Sequence, residues 1–196
     1  MTAKRISIAA ALALLAVLAV GLVELAGGNG SQASGPLRLS LARERSQLTG
    51  SPAPLAALHA QASVILGGGL PALRRRLAAL RGEPVVINKW ASWCAPCRAE
   101  FGILQRVSLA RGREVAFIGI DSSDSRSSAR AFLRSYPLSY PSYFDPNGTL
   151  GAAITDSGFT PVTVFYDRRG RFFIYQGPFA SAQKLERDIE RYALDA

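Results

Sequence analysis

Two cysteines carry the most specific chemistry that this 196-residue chain offers, because Cys94 and Cys97 are its only cysteines. They lie in the stretch WCAPCR, residues 93–98. Such a pair can close a structural disulfide, bind a metal ion or exchange electrons with another thiol. A structural disulfide is disfavoured, since the stabilisation that a disulfide gives grows with the length of the loop it closes, and here only two residues intervene.

A metal centre at this pair would need ligands that the chain does not offer. A structural zinc site takes a full set of cysteine and histidine ligands, and the only histidine, His59, lies far upstream. Covalent haem attachment requires a histidine directly after the second cysteine, where Arg98 stands instead. We therefore expect no metal and no cofactor, and we interpret His59 as a surface or loop histidine.

Thiol–disulfide exchange is the chemistry that the surroundings of the pair favour. An apolar run at 85–90 precedes the cysteines, and a helical run to about Ala110 follows them, so Cys94 is predicted at or just before a helix N-terminus. Backbone N–H groups and the helix dipole stabilise an anion there, which lowers the pKa of a thiol. Cys97 is predicted one turn inside the helix, sheltered and able to attack a mixed disulfide at Cys94. Pro96 suits the first helical turn.

An acidic residue shares the helix face of the second cysteine. Glu100 follows Cys97 by three positions, and Phe101 and Leu104 continue this face, because residues three or four apart lie together on a helix. A carboxylate drawn towards the thiols would raise their pKa and could carry a proton to or from them. A solvated glutamate near a helix start is the alternative that the spacing leaves open.

The remaining pattern predicts an α/β domain with a central mixed sheet flanked by helices. Strands are expected at 85–90, 114–121, within 140–150, at 161–167 and at 171–177, the last two forming a hairpin. Helices are expected at 70–82, from the cysteine motif to about residue 110, at 125–136 with Ser125 as its cap, and at 181–194. The segment 51–58 is expected to be extended or turn-like because of its prolines.

An apolar segment near the N-terminus predicts a membrane anchor within residues 1–26. Residues 6–26 are apolar except for Glu24, and as a helix they match the hydrocarbon thickness of a bilayer. Lys4 and Arg5 precede them and place the N-terminus in the cytoplasm. A signal peptide with Ala19-Val20-Gly21 as its cleavage site remains the alternative.

The rest of the chain is then expected outside the cytoplasmic membrane, where disulfides persist. Residues 27–49 are predicted to be a flexible linker, and residues 50–196 the folded domain. The net charge of +9 lies mostly ahead of the cysteine domain, since residues 1–83 hold nine basic and three acidic residues. No nucleic-acid-binding motif accompanies this charge, so we expect no nucleic acid partner and favour contact with anionic lipid head groups.

The stretch VVINKWASWCAPCRAEF, residues 85–101, resembles the signature of membrane-anchored thiol–disulfide oxidoreductases of the TlpA/ResA type. These proteins have a thioredoxin-like fold and belong to the redoxin branch related to peroxiredoxins. The resemblance continues through SPAPLAAL, DPNGTL and GFTPVTVFYDRRGRF and covers roughly residues 50–195. It implies a thioredoxin-like fold with an N-terminal anchor helix, and a monomer.

By this resemblance the catalytic residues are Cys94, Cys97 and Glu100. Thr160 and Pro161 correspond to the cis-proline dipeptide of the family, whose backbone would pair with an extended substrate segment. The residues implied to contact the substrate are Trp93, Ala95, Pro96, Thr160 and Pro161. The implied partners are protein disulfides or thiols and a membrane thiol-transfer protein that donates electrons.

Several positions near the motif are informative beside this resemblance. Asn88 stands where thioredoxin has a buried aspartate, as is usual in the TlpA/ResA group. Lys89 replaces an apolar residue, so its amine is expected to reach the surface or to pair with an acid. Gly102 replaces a proline that kinks the active-site helix, which is expected to be straighter or looser there. The 63 residues between Cys97 and Pro161 leave room for an extra helix–strand unit.

The motif alone does not fix the direction of electron flow. A reductant of disulfides in envelope proteins, with cytochrome c maturation as one task, is the leading interpretation. A disulfide-forming oxidant rests on the same residues, and a thiol peroxidase would have a threonine shortly before its cysteine and no WCxxC motif. A non-catalytic module that holds an apocytochrome or copper is the alternative from another class.

Overall fold

One six-stranded mixed sheet organises residues 46–195, the part of the chain that the computed structural model describes. Its strands, in chain order, are β1 (Ile65–Leu66), β2 (Val85–Trp90), β3 (Ala116–Ser122), β4 (Ser142–Asp145), β5 (Val162–Tyr166) and β6 (Phe172–Gln176). In space the order is β1-β4-β3-β2-β5-β6. The first four strands of this order are parallel, and β5 and β6 are antiparallel to their neighbours. The predicted mixed sheet and C-terminal hairpin are confirmed.

Helices cover both faces of the sheet, as expected for an α/β domain. They are α1 (Ala53–His59), α2 (Gly69–Ala79), α3 (Ala95–Arg111), α4 (Arg126–Ser135), α5 (Thr149–Ile154) and α6 (Ala182–Ile189), the last continuing as a π-helical turn at Glu190–Leu194. On one face α3, α4 and α6 bury Phe101, Phe132 and Leu185 against Trp90 and Phe165. On the other face α1, α2 and α5 bury side chains that include Leu55, Leu73 and Leu150.

The central strand β2 leads directly into the cysteine motif. All six of its residues are buried, because β3 and β5 flank it in the sheet and helices cover both of its faces. A run of Val85, Val86 and Ile87 satisfies this environment, and burial stabilises each such side chain by about 1.5–3 kcal/mol. The boundaries predicted for β2 are confirmed, and α3 begins within five residues of its end.

The prediction that residues 51–58 are extended or turn-like is wrong. They form most of α1, with Pro52 as the residue before the helix and Pro54 in its first turn. Proline is tolerated there because the first N–H groups of a helix have no intrahelical acceptor. The buried Leu55 and Leu58 hold the helix on the sheet. His59 ends α1 and is half-buried rather than a loop residue, with Nε2 2.9 Å from the carbonyl oxygen of Gly112.

Two elements were not predicted, the short edge strand β1 and the helix α5. The α5 helix begins where the Asp145 carboxylate accepts hydrogen bonds from the N–H groups of Leu150 and Gly151 at 3.0 and 2.9 Å. These are first-turn donors that a helix leaves unpaired. With β4, this helix forms the additional unit between the cysteines and Pro161 for which the chain length left room. Ser125 caps α4 as predicted, accepting from the Ser128 N–H.

Within residues 46–195, no helix is both long and apolar enough to cross a membrane. The anchor predicted at 6–26 and nearly all of the predicted linker at 27–49 lie outside the described residues. Leu48, at the end of that predicted linker, is buried.

Candidate active site

The two cysteines lie at the N-terminus of α3 and are joined as a disulfide. Cys94 is the residue that precedes the helix, and its sulfur accepts a hydrogen bond from the Cys97 N–H at 3.2 Å. Pro96 occupies the first turn, as its missing N–H allows. A thiolate at Cys94 would receive the same hydrogen bond and the positive end of the helix dipole.

Both sulfurs are sheltered when they form the disulfide. Cys97 is fully buried and Cys94 is 3% exposed. Ala95 and Pro96, in contrast, are exposed beside them. The surface next to the disulfide is therefore formed by these two side chains.

The Thr160–Pro161 dipeptide faces the cysteines through a cis peptide bond. The carbonyl oxygen of Thr160 lies 3.6 Å from the Cys94 sulfur, which carries no proton in the disulfide. This proximity follows from sheet topology: β5 runs antiparallel to β2, and its first residue, Val162, pairs with Lys89. The loop that enters β5 is thereby brought to the edge of the sheet from which α3 starts.

Two exposed aromatic side chains flank the disulfide. Trp93 is 63% exposed and Phe159 is 72% exposed, and the indole N–H of Trp93 is anchored to the carbonyl oxygen of Ser123 at 2.9 Å. A cavity of about 540 Å³ opens beside Trp93 and Thr160. Phe159 was missed from the sequence, although a phenylalanine beside a glycine and two residues before Pro161 would have been a usable signal.

Glu100 is fully buried, so the alternative of a solvated glutamate is wrong. Its carboxylate accepts hydrogen bonds from Asn88 Nδ2 at 3.0 Å and from the Phe179 N–H at 2.9 Å. Burial raises the pKa of Glu100 to about 7, while these two hydrogen bonds act in the opposite direction. A carboxyl group with this pKa exchanges a proton readily near neutral pH.

Lys89 lines the cavity beside Trp93 and Thr160, and within residues 46–195 it forms no ion pair. It is 6% exposed, and its Nζ donates to the carbonyl oxygen of Ser157 at 2.8 Å. Burial lowers its pKa, an effect that the nearby Asp145 opposes. This hydrogen bond holds the segment that includes Phe159 and Thr160, and Thr160 lies beside the Cys94 sulfur.

Two further acidic residues, not identified from the sequence, lie at the end of β3 and just after it. Asp124 accepts hydrogen bonds from the N–H groups of Ser92 and Ser125, each at 2.6 Å. Asp121 is fully buried, and neither of its carboxyl oxygens has a hydrogen-bond partner among residues 46–195. Burial, reinforced by Asp124, raises the pKa of Asp121 to about 8.

Potential metal ligands are not clustered in this part of the chain. Among residues 46–195, no three histidine, cysteine, aspartate or glutamate side chains are grouped so that they could hold an ion.

Comparison with known proteins shows that this chain is similar to thiol–disulfide interchange proteins. The model of the AhpC/TSA family matches residues 70–172. The thiol:disulfide interchange protein DsbE of Escherichia coli is 37% identical over 91 residues, which cover 46% of this chain and 47% of DsbE. The thioredoxin-like protein YneN of Bacillus subtilis is 28% identical over 93 residues, covering 46% and 54% of the two chains. The chain thus spans about half the length of these curated relatives.

Solved structures of disulfide oxidoreductases are also similar to this chain. DsbF of Mycobacterium tuberculosis, in mixed oxidised and reduced forms, superposes with a TM-score of 0.54 at 26% identity, covering 58% of this chain and 83% of that one. A secreted disulfide oxidoreductase of Mycobacterium tuberculosis, homologous to E. coli DsbE, gives a TM-score of 0.53 at 28% identity, with coverages of 58% and 85%. The thioredoxin-like fold expected from the sequence is confirmed.

Proposed function

The chain belongs to the AhpC/TSA family, and we propose that it is an extracytoplasmic thiol–disulfide oxidoreductase that works through Cys94 and Cys97. The observation that carries the proposal is the disulfide at the start of α3, where the Cys97 N–H donates to the Cys94 sulfur. A helix N-terminus stabilises the thiolate that would form there on reduction.

The proposed reaction transfers two electrons from the protein dithiol to a substrate disulfide. The Cys94 thiolate attacks one substrate sulfur, so that a mixed disulfide forms and the other substrate sulfur leaves as a thiolate. The Cys97 thiol loses its proton and attacks the Cys94 sulfur. The Cys94–Cys97 disulfide forms, and the second substrate sulfur is released and protonated.

Glu100 is the proposed acceptor of the Cys97 proton. It follows Cys97 by one helical turn, is fully buried and has a pKa raised to about 7 by burial. Asn88 and the Phe179 N–H stabilise its ionised form, so that it can accept a proton near neutral pH and release it later.

We further propose that an extended substrate segment binds along Thr160 and Pro161 and crosses Ala95 and Pro96. The loop before β5 offers the backbone of Thr160 for β-type pairing. Trp93 and Phe159 would cover apolar side chains next to the substrate cysteine, since large exposed aromatic side chains contribute strongly at interfaces. Phe159→Ala is expected to weaken substrate binding and to raise KM more than it lowers kcat.

The proposed location is the outer side of the cytoplasmic membrane. It rests on the apolar run at 6–26 with its basic flank, followed by a linker at 27–49 and the domain at 50–196. The electron donor would be a membrane thiol-transfer protein, and the clients would be envelope proteins, with cytochrome c maturation as one such task. We propose that the chain acts as a monomer.

An insulin-reduction assay tests the proposed activity. The full chain, reduced by a dithiol, is expected to reduce insulin disulfides, and Cys94→Ser is expected to abolish this activity because the attacking thiolate is lost. Arg113→Ala is a suitable matched control, since Arg113 lies between α3 and β3 at the opposite edge of the sheet. Unchanged turnover in Cys94→Ser would contradict the proposal.

The direction of electron flow is tested separately by the reduction potential of the pair. A reduction potential close to that of thioredoxin supports a reductant. A reduction potential at the strongly oxidising end of the range for CxxC proteins would support disulfide formation instead. Equilibration of the chain with glutathione buffers measures this potential.

A further inference from the structure

We propose that Asp121 and Asp124 form a proton-sharing carboxyl pair that positions the Ser92–Cys94 segment, and that loss of the shared proton loosens this segment and slows thiol–disulfide exchange. The inference adds a positioning role beyond the residues of the proposed reaction. It rests on the proposed function only in that thiol–disulfide exchange is the reaction it modulates.

The burial of Asp121 is the first observation. Its side chain is fully buried at the end of β3, next to Trp90 of β2 in the sheet register. Neither carboxyl oxygen has a hydrogen-bond partner among residues 46–195. An ionised carboxylate without a donor is very costly in such a place, so the neutral, protonated acid is the form that this environment favours.

Asp124 accounts for the position of that proton. Asp124 holds the N–H of Ser92, and Ser92 follows Trp90, the register partner of Asp121, by two residues. The two carboxyl groups therefore lie at the same end of the sheet. Two ionised carboxylates cannot hydrogen-bond to each other because neither has a donor. One proton on Asp121 resolves this, since its O–H can donate to Asp124. The raised pKa of Asp121, about 8, agrees with this assignment.

Asp124 has hydrogen-bond donors that Asp121 lacks within residues 46–195. The N–H groups of Ser92 and Ser125 each donate to it at 2.6 Å, and hydrogen bonds to a carboxylate stabilise its charged form. It is also half-buried rather than fully buried. The proton is therefore held asymmetrically, on the residue with no other donor.

The hydrogen bond to Ser92 links this pair to the reacting sulfur. Ser92 lies two residues before Cys94, and the neighbouring Ser123 carbonyl oxygen holds the Trp93 indole N–H at 2.9 Å. The end of β3 thus fixes both the backbone that leads to Cys94 and the exposed ring beside it. If Asp124 moves, both contacts are disturbed.

Other charged groups around Asp121 act in opposite senses. Arg126, at the start of α4, stabilises its ionised form, whereas Asp124 and Asp145 destabilise it. Arg126 is engaged elsewhere, donating to the Ile65 carbonyl oxygen at 3.0 Å and stacking on the Phe144 ring. Asp145 is engaged by the N–H groups of Leu150 and Gly151. None of these groups replaces the shared proton.

Deprotonation of Asp121 would place a second negative charge against Asp124. The repulsion, in a site of low effective dielectric, drives the half-buried Asp124 towards solvent and away from the Ser92 N–H. The Ser92–Cys94 segment then loses the contact that orients it. Exchange is expected to slow above the pH at which the shared proton is lost, although the thiolate fraction of Cys94 does not decrease as pH rises.

The first test is made on the disulfide form of the full chain, in which the cysteines do not titrate. Carbon-13 NMR is expected to show the Asp121 carboxyl titrating near pH 8, together with faster hydrogen exchange of the Ser92 amide above that pH than its ordinary base catalysis explains. In Asp121→Asn, whose amide group can donate to Asp124 at any pH, the Ser92 amide should show no such excess.

The second test compares insulin-reduction rates across the same pH range. We expect the wild-type rate, divided by the Asp121→Asn rate, to fall about tenfold between about pH 7 and pH 9, because about nine in ten molecules have lost the shared proton at the upper end. Asp124→Asn should lower the rate at both pH values. Glu114→Gln, at the opposite edge of the sheet, is the matched control and should leave the wild-type profile unchanged.

Two results would overturn the inference: an Asp121 carboxyl that titrates at its ordinary value, or wild-type and Asp121→Asn rate profiles that run parallel. A chain without exchange activity at any pH would contradict the proposed function instead. In that case the NMR titration and the Ser92 amide exchange still decide whether the carboxyl pair exists, since neither requires turnover.

Discussion

Glu100 and Asp121 are two buried carboxyl groups near the same disulfide, and they differ in their hydrogen-bond donors. Both side chains are fully buried, and burial is the main reason for the raised pKa of each. Glu100 receives hydrogen bonds from Asn88 and Phe179, whereas neither oxygen of Asp121 has a hydrogen-bond partner within residues 46–195.

This difference determines what each group can do. The donors of Glu100 offset part of the cost of its charge, and its pKa of about 7 suits a group that gains and loses a proton during a reaction. The pKa of Asp121, about 8, lies further from its ordinary value. A group that keeps its proton at neutral pH can act as a permanent hydrogen-bond donor. Burial alone therefore does not define a proton carrier, because the number of donors matters as much.

The largest expected effect is on stability. Because the pKa of each group is raised in the folded protein, the folded state binds more protons than the unfolded state between the ordinary pKa and the raised one. The contribution of each group to the free energy of unfolding is therefore complete at about pH 4. It decreases as pH rises, by about 1.4 kcal/mol per pH unit for each group. The fall should end near pH 7 for Glu100 and near pH 8 for Asp121.

Urea unfolding of the disulfide form at a series of pH values measures this slope. Asp121→Asn should flatten the curve over a wider range than Glu100→Gln, since its pKa is displaced further. If both variants reduce the pH dependence of the unfolding free energy equally, the hydrogen-bond donors of Glu100 do not affect its pKa.

The next effect in size is the loss of the proton acceptor. Glu100→Gln is expected to lower the rate of insulin reduction about a hundredfold near neutral pH, as is usual when a general base is removed, and to remove the inflection near pH 7 from the rate profile. Single-turnover kinetics of the reduced chain would measure both. A lowered rate that keeps the inflection would assign Glu100 a structural role only.

A smaller effect is expected when Glu100 loses a hydrogen-bond donor, because its pKa should then move towards that of Asp121. Asn88→Ala removes one donor, and a hydrogen bond to a charged group contributes about 1.5–3 kcal/mol, which raises the pKa of Glu100 by about one to two units. Thr163→Ala is the control, because it removes the other partner of Asn88 Nδ2, at 3.1 Å, and leaves the bond to Glu100. Carbon-13 NMR of the Glu100 carboxyl distinguishes them, and equal pKa values in both variants would contradict the proposed role of the donor.

The contrast between these carboxyl groups also shows how far the sequence reaches. Glu100 was found because it shares a helix face with Cys97, which is local information that the period of a helix contains. Asp121 and Asp124 were not found, because their environment depends on how β3 lies beside β2 and on a contact with Ser92, more than 30 residues away in sequence. Partners of this kind have no local pattern.

The elements follow the same rule. The apolar run of β2 and the Ser125 cap of α4 are local signals, and both were predicted correctly. The α5 helix begins on the carboxylate of Asp145, which lies outside the helix itself. The α1 helix was misjudged because its prolines occupy the few positions where a helix accepts them.

The central claim is that Cys94 attacks and Cys97 resolves, and trapping the mixed disulfide tests it most directly. Reduced Cys97→Ser, incubated with insulin and analysed by mass spectrometry without reductant, is predicted to carry an insulin chain on Cys94 that a dithiol releases. Cys94→Ser should trap little, because Cys97 is buried inside the helix. An adduct that forms equally on Cys97 of Cys94→Ser, or none on Cys97→Ser, would contradict the account.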